Sequence, residues 1–293
     1  MRCIPTDSFQ AKQATLTVDA PTKAPEFPDI QAIRDAIPAH CFEPSTLTSM
    51  GYVVRDVAMV SALVWAALTY IPQIADPLWR TAAWMAYGYA QGLVCTGIWI
   101  LAHEAGHGAF SVHNRFNNIV GWTLHSALMV PYFSWKYSHH RHHRYTGHME
   151  KDMAFVPQTA DKRSTRRLAN LYMDPELFED TPIFQMMQLI FHQLAGWQAY
   201  LLFNVSSGPD SKQKDASWWR QSHFEPTSGV FRPNEALFIA ISDLGLALTM
   251  TGLYFASTYV GWSTVGFLYL VPYMWVHHWL GKSCEIWRVH ERG

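Results

Sequence analysis

Charged residues are scarce in this 293-residue chain: they make up 15% of it, whereas an ordinary soluble domain carries about 25%. Hydrophobic residues reach 49% and aromatic residues 14%. The mean hydropathy is nevertheless close to zero, because long apolar blocks alternate with very polar ones. A chain segmented in this way is typical of a protein that crosses a lipid bilayer.

The sequence also lacks a strong net charge, a disulfide pattern and a secretory signal. Its formal net charge is −1 and it contains no nucleic-acid-binding motif, which argues against DNA or RNA as a partner. The cysteines Cys3, Cys41, Cys95 and Cys284 have no paired spacing, so we interpret them as reduced and structural. Residues 1–28 have no apolar core, which predicts a disordered cytosolic tail rather than a cleaved signal peptide.

Four apolar stretches are long enough to cross a hydrocarbon core of about 30 Å. They form two hairpins, and the segment between the hairpins carries a run of Lys and Arg from Lys136 to Arg167. Under the positive-inside rule this segment lies in the cytosol together with both ends of the chain. The predicted spans are residues 57–75, 82–102, 237–256 and 263–280.

Two further apolar stretches are broken by polar residues, Gly or Pro, and we interpret them as interfacial rather than spanning. They are residues 118–133 and Met186–Val205. The sequence therefore predicts an all-α integral membrane protein with four transmembrane helices, interfacial segments and a cytosolic, histidine-rich helical cap. Asp243 lies in the third span, so either it faces protein or water or the span boundary is imprecise.

Two histidine clusters carry the chemistry. His103 and His107 follow the second span, and the i, i+4 spacing places both on one face if the helix continues. His139, His142 and His143 share a face at i, i+3 and i+4 in the same way. Imidazole binds iron, copper and zinc, and five imidazoles exceed what one structural zinc requires. We predict that the five bind two metal ions, with iron as the leading interpretation.

Two alternatives compete with this interpretation. The second cluster resembles a basic face for anionic lipid headgroups, although such a patch would use Lys and Arg throughout. The motif H-E-x-x-H at residues 103–107 also occurs in zinc proteases, where Glu104 would act as the general base. A zinc protease, however, leaves the cluster at 139–143 without a role.

The other histidines receive simpler interpretations. His125, His192 and His223 are predicted to be hydrogen-bonding core residues. His113 and His148 stand just beyond the clusters, where they could orient ligands or substrate.

The sequence resembles the membrane fatty-acid desaturase family, and within it the delta-12 (oleate) branch, over residues 33–280. The segments that carry the resemblance are HEAGHGAF, LHSALMVPYFSWKYSHHRHHRYTGHMEKDMAFVP, GWQAYLLFNVSSGP and VPYMWVHHWL. The resemblance implies a four-span fold in the endoplasmic reticulum membrane and a non-haem di-iron centre with O2 as co-substrate. It also implies an acyl-lipid or acyl-CoA substrate, electrons from cytochrome b5 and its reductase, and conversion of an oleoyl to a linoleoyl chain by a cis double bond. Relatives that form triple bonds or hydroxyl groups share these boxes, so the resemblance does not choose among the products.

Carried onto this sequence, the family's first two histidine boxes fall on five positions, and His140 occupies a non-ligand position. The family's third box, H-x-x-H-H, is absent, and the family pattern is lost after Leu280. We interpret His277 and His278 as ordinary residues at a span end. With five ligands where the family uses about eight, we expect weak metal binding and doubtful activity. The metal ligands predicted in this way are His103, His107, His139, His142 and His143.

These observations divide the chain into four parts. A disordered tail covers residues 1–28, a cytosolic desaturase region residues 29–56, the membrane domain residues 57–280, and a tail outside the family pattern residues 281–293. The alternative to an active enzyme is a catalytically inactive homologue or a gene-model fragment.

Overall fold

The computed structural model describes residues 29–156, 181–212, 217 and 220–289. All regular structure within these ranges is helical. The predicted tail at 1–28 and the last four residues of the predicted tail at 281–293 lie outside the described residues, as does the side chain of His192.

The chain divides after Phe42 into two compact units. In the described part of the first, helix α1 (Ile30–Asp35) precedes a 3-10 turn at Ala39–Phe42. The guanidinium carbon of Arg34 lies 5.5 Å from the ring centroid of Phe42, so the two short elements are held together by a cation–π contact.

The second unit begins with an antiparallel pair of long helices, α2 (Thr46–Tyr70) and α3 (Pro77–His107). The Asp76 side chain caps α3, because its Oδ1 accepts hydrogen bonds from the backbone N–H groups of Leu78 (2.8 Å) and Trp79 (3.1 Å). The predicted spans leave residues 76–81 as the turn of this hairpin, whereas helix α3 already begins at Pro77. Helix α2 begins well before the predicted span at residue 57, since its polar first turns continue the helix beyond the apolar stretch.

Six further helices follow within the described ranges, and α3 contacts four of the helices: α2, α4, α5 and α9. A π-helical turn at Gly266–Leu270 joins the last two, and 3-10 turns occupy Ile71–Gln73, Pro209–Ser211 and Pro233–Glu235. The helices are α4 (Asn114–Ala127), α5 (Tyr132–Tyr145), α6 (Pro182–Phe203), α7 (Ala236–Val260), α8 (Trp262–Val265) and α9 (Val271–Val289).

Two glycines one helical turn apart allow α3 and α9 to approach closely. A Cβ on Gly88 would lie 2.4 Å from Cγ1 of Val271, and a Cβ on Gly92 would lie 2.4 Å from Cβ of Trp275. Small residues at this spacing are typical of tightly packed membrane helices. Because residue numbers increase in the same direction along both contacts, α9 runs parallel to α3.

Three described helical segments are long and apolar enough to cross a membrane: Thr46–Gln73, Pro77–His107 and Pro233–Val260. The second and third contain the predicted spans 82–102 and 237–256, and the first overlaps the predicted span 57–75 but ends at Gln73. The fourth predicted span is helical but is not among the three, so four crossings stay a prediction. Helix α6, predicted not to span, is also not among them. The interfacial stretch at 118–133 forms the end of α4 and the start of α5, separated by a break at Met129, whose φ is +55°.

Candidate metal centre

The first histidine cluster lies in the last two turns of α3. The helix continues through residues 103–107, as the spacing requires, and ends at Gly108, whose φ of +81° gives a left-handed C-cap. His103 and His107 therefore project from one face, with their Nε2 atoms 3.3 Å apart.

The second cluster lies on α5, which packs against α3. His139 and His143 occupy one face of α5, with Nε2 atoms 3.0 Å apart. His140, which the resemblance assigns to a non-ligand position, points back to α3, where its Nε2 lies 3.0 Å from the carbonyl oxygen of Gly106. A carbonyl only accepts, so this nitrogen donates, and the bond ties the two histidine helices together.

Four imidazoles from the two helices converge on one point. The Nε2 of His139 lies 2.9 Å from that of His103 and 3.2 Å from that of His107. All four ligand atoms lie within 4.8 Å of one another, and we call this set the histidine quartet: His103, His107, His139 and His143.

The quartet suits a metal ion better than it suits a hydrogen-bond network. The Nε2 atoms of His103, His107 and His139 all contact one another. In a neutral imidazole a ring nitrogen either donates or accepts, so at least one of these three contacts brings two donors or two acceptors together. Metal–nitrogen bonds of about 2.0–2.1 Å place tetrahedral ligand atoms about 3.3–3.4 Å apart, which is close to the observed spacings. The donor set therefore fits a transition-metal ion.

Buried tryptophans support the quartet from the protein side. The ring of Trp135 stacks on His139 with centroids 4.5 Å apart, and Trp99 stacks on His103 at 5.5 Å. Both tryptophans belong to the apolar core. His107 and His143 are exposed, so the cluster is closed by aromatic rings on one side and open to solvent on the other.

Burial also favours the neutral form of His139 and His143. It lowers the pKa of His139 to about 2, assisted by the neighbouring imidazoles, and it lowers the pKa of His143 in the same direction. A neutral imidazole has a lone pair available for coordination, so these residues are ready to bind metal at neutral pH.

The fifth predicted ligand, His142, lies outside the quartet. Its Nδ1 lies 2.7 Å from Oδ1 of the buried Asp152, and its ring centroid is 5.7 Å from that of His143. The structure thus brings together four of the five predicted ligands and holds the fifth beside them on the same helix.

The remaining histidines are distributed as follows. His125 is fully buried behind Trp99 and Trp135, with its Nε2 3.3 Å from the Trp99 carbonyl oxygen, and its prediction as a hydrogen-bonding core residue is confirmed. His223 is fully buried beside Tyr200, with ring centroids 4.5 Å apart.

Three more histidines lie away from the quartet. His113 is exposed just before α4. His148 shapes a loop, because its Nδ1 accepts the backbone N–H of Glu150 at 3.2 Å. His277 is buried in α9 against Trp197 and Tyr273.

Sequence reasoning missed the residues that hold the predicted ligands in position. Asp152, Trp99, Trp135 and Gly106 each contact a histidine of the two clusters or a residue stacked on one. The acid ten residues beyond His142 was a usable signal, since metal-binding histidines usually donate their second nitrogen to a carboxylate or carbonyl.

Comparison with known proteins gives two family matches. The profile described as "Fatty acid desaturase" matches residues 82–288, and one described as a domain of unknown function, DUF3474, matches residues 6–66. The first match contains both histidine clusters.

Individual relatives agree with the first match. A Delta(12) fatty acid desaturase of Mortierella isabellina is 42% identical over 94% of this chain and 70% of its own length. One from Mortierella alpina is 43% identical over 87% of this chain and 64% of its own. An oleate hydroxylase of Claviceps purpurea is 38% identical over 87% of this chain and 56% of its own. The chain thus spans between 56% and 70% of the length of these relatives.

Proposed function

Because the chain belongs to the fatty acid desaturase family, we propose that it converts an oleoyl chain to a linoleoyl chain by inserting a cis double bond at the delta-12 position. The observation that carries this proposal is the histidine quartet, which uses both clusters at once. The zinc protease alternative has no use for the α5 histidines, and the lipid-headgroup alternative has no use for their convergence with α3.

We assign the metal as iron, two ions in all, with His103, His107, His139, His142 and His143 among the ligands. Removing two hydrogens from adjacent methylenes with O2, two electrons and two protons yields a double bond and two waters. O2 is the oxidant, and iron held by these residues would activate it. The quartet supports at least one of the two ions directly, since its four nitrogens already converge. His142 would serve the second.

The residues around the quartet prepare it for this chemistry. The buried rings of Trp99 and Trp135 cover one side of the quartet and restrict the rotation of His103 and His139. The bond from His140 to Gly106 fixes the distance between α3 and α5. Preorganisation of this kind keeps the ligand atoms converged without the cost of ordering them at each binding event.

We further propose four membrane crossings, with the quartet at the cytosolic surface of the endoplasmic reticulum. Two contacts support a shared side: Oγ1 of Thr46, at the start of α2, donates to Oγ of Ser111 just beyond α3 (2.8 Å), and Arg141 on α5 pairs with Glu235 at the start of α7. The parallel course of α3 and α9 supports a fourth crossing that returns to that side. Cytochrome b5 and its reductase are the proposed electron donors.

A second product deserves a place in the test, because a relative named as an oleate hydroxylase matches nearly as well as the desaturases. Hydroxylation at the same carbon uses the same metal and acyl position. The two reactions differ in their second step: a hydroxylase places a hydroxyl group on the carbon that lost a hydrogen, whereas a desaturase removes a second hydrogen from the neighbouring carbon.

The proposal is tested by expressing the chain in a yeast that makes oleate but no linoleate, and analysing its fatty acids by gas chromatography and mass spectrometry. Linoleate formation, lost in His139→Ala at equal protein level, supports the desaturase. Ricinoleate instead supports the hydroxylase. Neither product, with the protein present in membranes, counts against the proposed activity of this chain.

A further inference from the structure

Asp152 lies in the loop after α5, yet its carboxyl group is buried and hydrogen-bonded on both oxygens. The residue is 1% exposed. Its Oδ1 accepts the backbone N–H groups of Ala154 (2.9 Å) and Phe155 (3.3 Å), and its Oδ2 accepts that of Gly147 (3.1 Å). Three backbone donors therefore fix both oxygens in place and leave Oδ1 to meet the ring of His142.

A second segment holds the backbone of this loop. The N–H of Gly208 donates to the carbonyl of Asp152 (2.8 Å), and the N–H of Asp210 donates to the carbonyl of Glu150 (2.9 Å). A Cβ on Gly208 would lie 2.3 Å from that Glu150 oxygen, so only glycine permits this approach. The chain beyond α6 thus fastens the loop that presents Asp152 to α5.

The contact from Asp152 determines which nitrogen of His142 is available. A carboxylate is an acceptor only, so Nδ1 of His142, 2.7 Å away, must carry the proton. The neutral ring then has its lone pair on Nε2. Hydrogen bonding to a carboxylate also makes the other nitrogen a stronger electron donor.

The contact between Glu104 and His103 also joins a carboxylate to a histidine, but it is exposed to solvent. Oε1 of Glu104 lies 3.0 Å from Nδ1 of His103, but the Glu104 side chain is 46% exposed, compared with 2% for Asp152. Solvent screens the exposed contact, and its flexible side chain carries little orienting force. Only the Asp152 contact is rigid.

We infer that Asp152 is a positioning residue, which holds His142 in the tautomer and orientation needed for Nε2 to bind a metal ion apart from the quartet. The inference rests on the proposed function, because it requires that the histidine clusters bind metal. It adds a residue outside both boxes, and it explains why His142 does not join the four converging imidazoles.

The test is a titration of the detergent-purified chain with Co2+ alone, followed by the visible absorption of the bound ion. The variants are Asp152→Asn, His142→Ala and the two combined, with Asp210→Asn as the matched control. Asp210 is an exposed acid held to the same loop by its backbone, so it undergoes the same chemical change without touching His142.

We expect Asp152→Asn to weaken, by about 10- to 100-fold, the same metal equivalent that His142→Ala removes. The remaining equivalent and Asp210→Asn should match the wild type. In the His142→Ala background the added Asp152→Asn should change nothing further, because its effect passes through that ring. A change that affects the remaining equivalent in this background would mean that Asp152 merely maintains the fold, and the inference would fail.

Two other outcomes separate this inference from the proposed function. If the wild type binds Co2+ and either Asp152→Asn or His142→Ala leaves every equivalent unchanged, the inference is wrong while the metal centre stands. If the wild type binds no Co2+, both are overturned together.

Discussion

The indole ring of Trp135 packs directly on Gly106, so that a Cβ added to the glycine would lie 2.9 Å from Cζ3 of the ring. The same indole stacks on His139. The glycine inside the first histidine box therefore sets the position of a predicted ligand in the second.

This contact predicts the result of Gly106→Ala. The added methyl should displace Trp135 and His139, cost about 1–3 kcal/mol as overpacking does, and reduce metal content. Thermal unfolding and iron per chain measure both effects. Gly51→Ala is the control, because its Cβ meets no atom within 4 Å and alanine favours a helix. Equal iron in the two variants would show that the Trp135 contact does not position the ligand.

Adjacent histidines on α5 should differ sharply when each is replaced. His139→Ala should abolish metal binding at the quartet, since its Nε2 lies within 3.3 Å of three other ring nitrogens. His140→Ala should retain the metal and lose about 1 kcal/mol of stability, the net worth of its single hydrogen bond to α3. Metal analysis of both purified variants decides, and retention of metal in His139→Ala would contradict the quartet.

Buried His223 predicts a loss of stability in acid. Burial lowers its pKa from 6.5 to about 4, so between these values the unfolded chain binds a proton that the folded chain does not. The free energy of unfolding is therefore unaffected by this histidine above pH 6.5. As the pH falls towards 4, it decreases by about 3 kcal/mol. His223→Phe should flatten this part of the profile of thermal unfolding against pH.

The matched control is His113→Phe, which alters an exposed histidine and should leave the slope between pH 4 and 6.5 as in the wild type. If His223→Phe shows the wild-type slope as well, other buried groups such as His125 account for the acid sensitivity.

The Arg141–Glu235 pair links α5 to the start of α7. Its side chains are 19% and 12% exposed, and Arg141 also donates to the carbonyl of Val230 at 2.7 Å. Glu235→Gln should lower stability by roughly 1–3 kcal/mol, because it leaves a partly buried guanidinium without its anion. Arg144→Ala, which removes an exposed arginine, should have little effect. Similar melting temperatures for both variants would mean that the pair is not needed.

The helical character, the first three apolar spans and the two histidine clusters followed from the sequence. Each depends on local periodicity: eighteen or more apolar residues predict a membrane helix, and i, i+4 spacing places His103 beside His107. The start of α2 could not be read in this way, because polar turns at Thr46 continue a helix without adding apolar residues. The fourth crossing remains a prediction for a related reason, since polar and aromatic residues dilute the apolar signal of α9.

What the sequence by itself determined is the chemistry available: imidazoles on one face of each of two helices, next to apolar spans. Tertiary structure alone decided which of them meet. The close fit of Trp135 on Gly106 positions His139 where the four rings converge, and the buried carboxylate of Asp152, in the loop after α5, holds the ring of His142 outside that point. Spacing along a helix fixes the direction of a side chain, but the distance between two helices depends on contacts made by residues far apart in the chain.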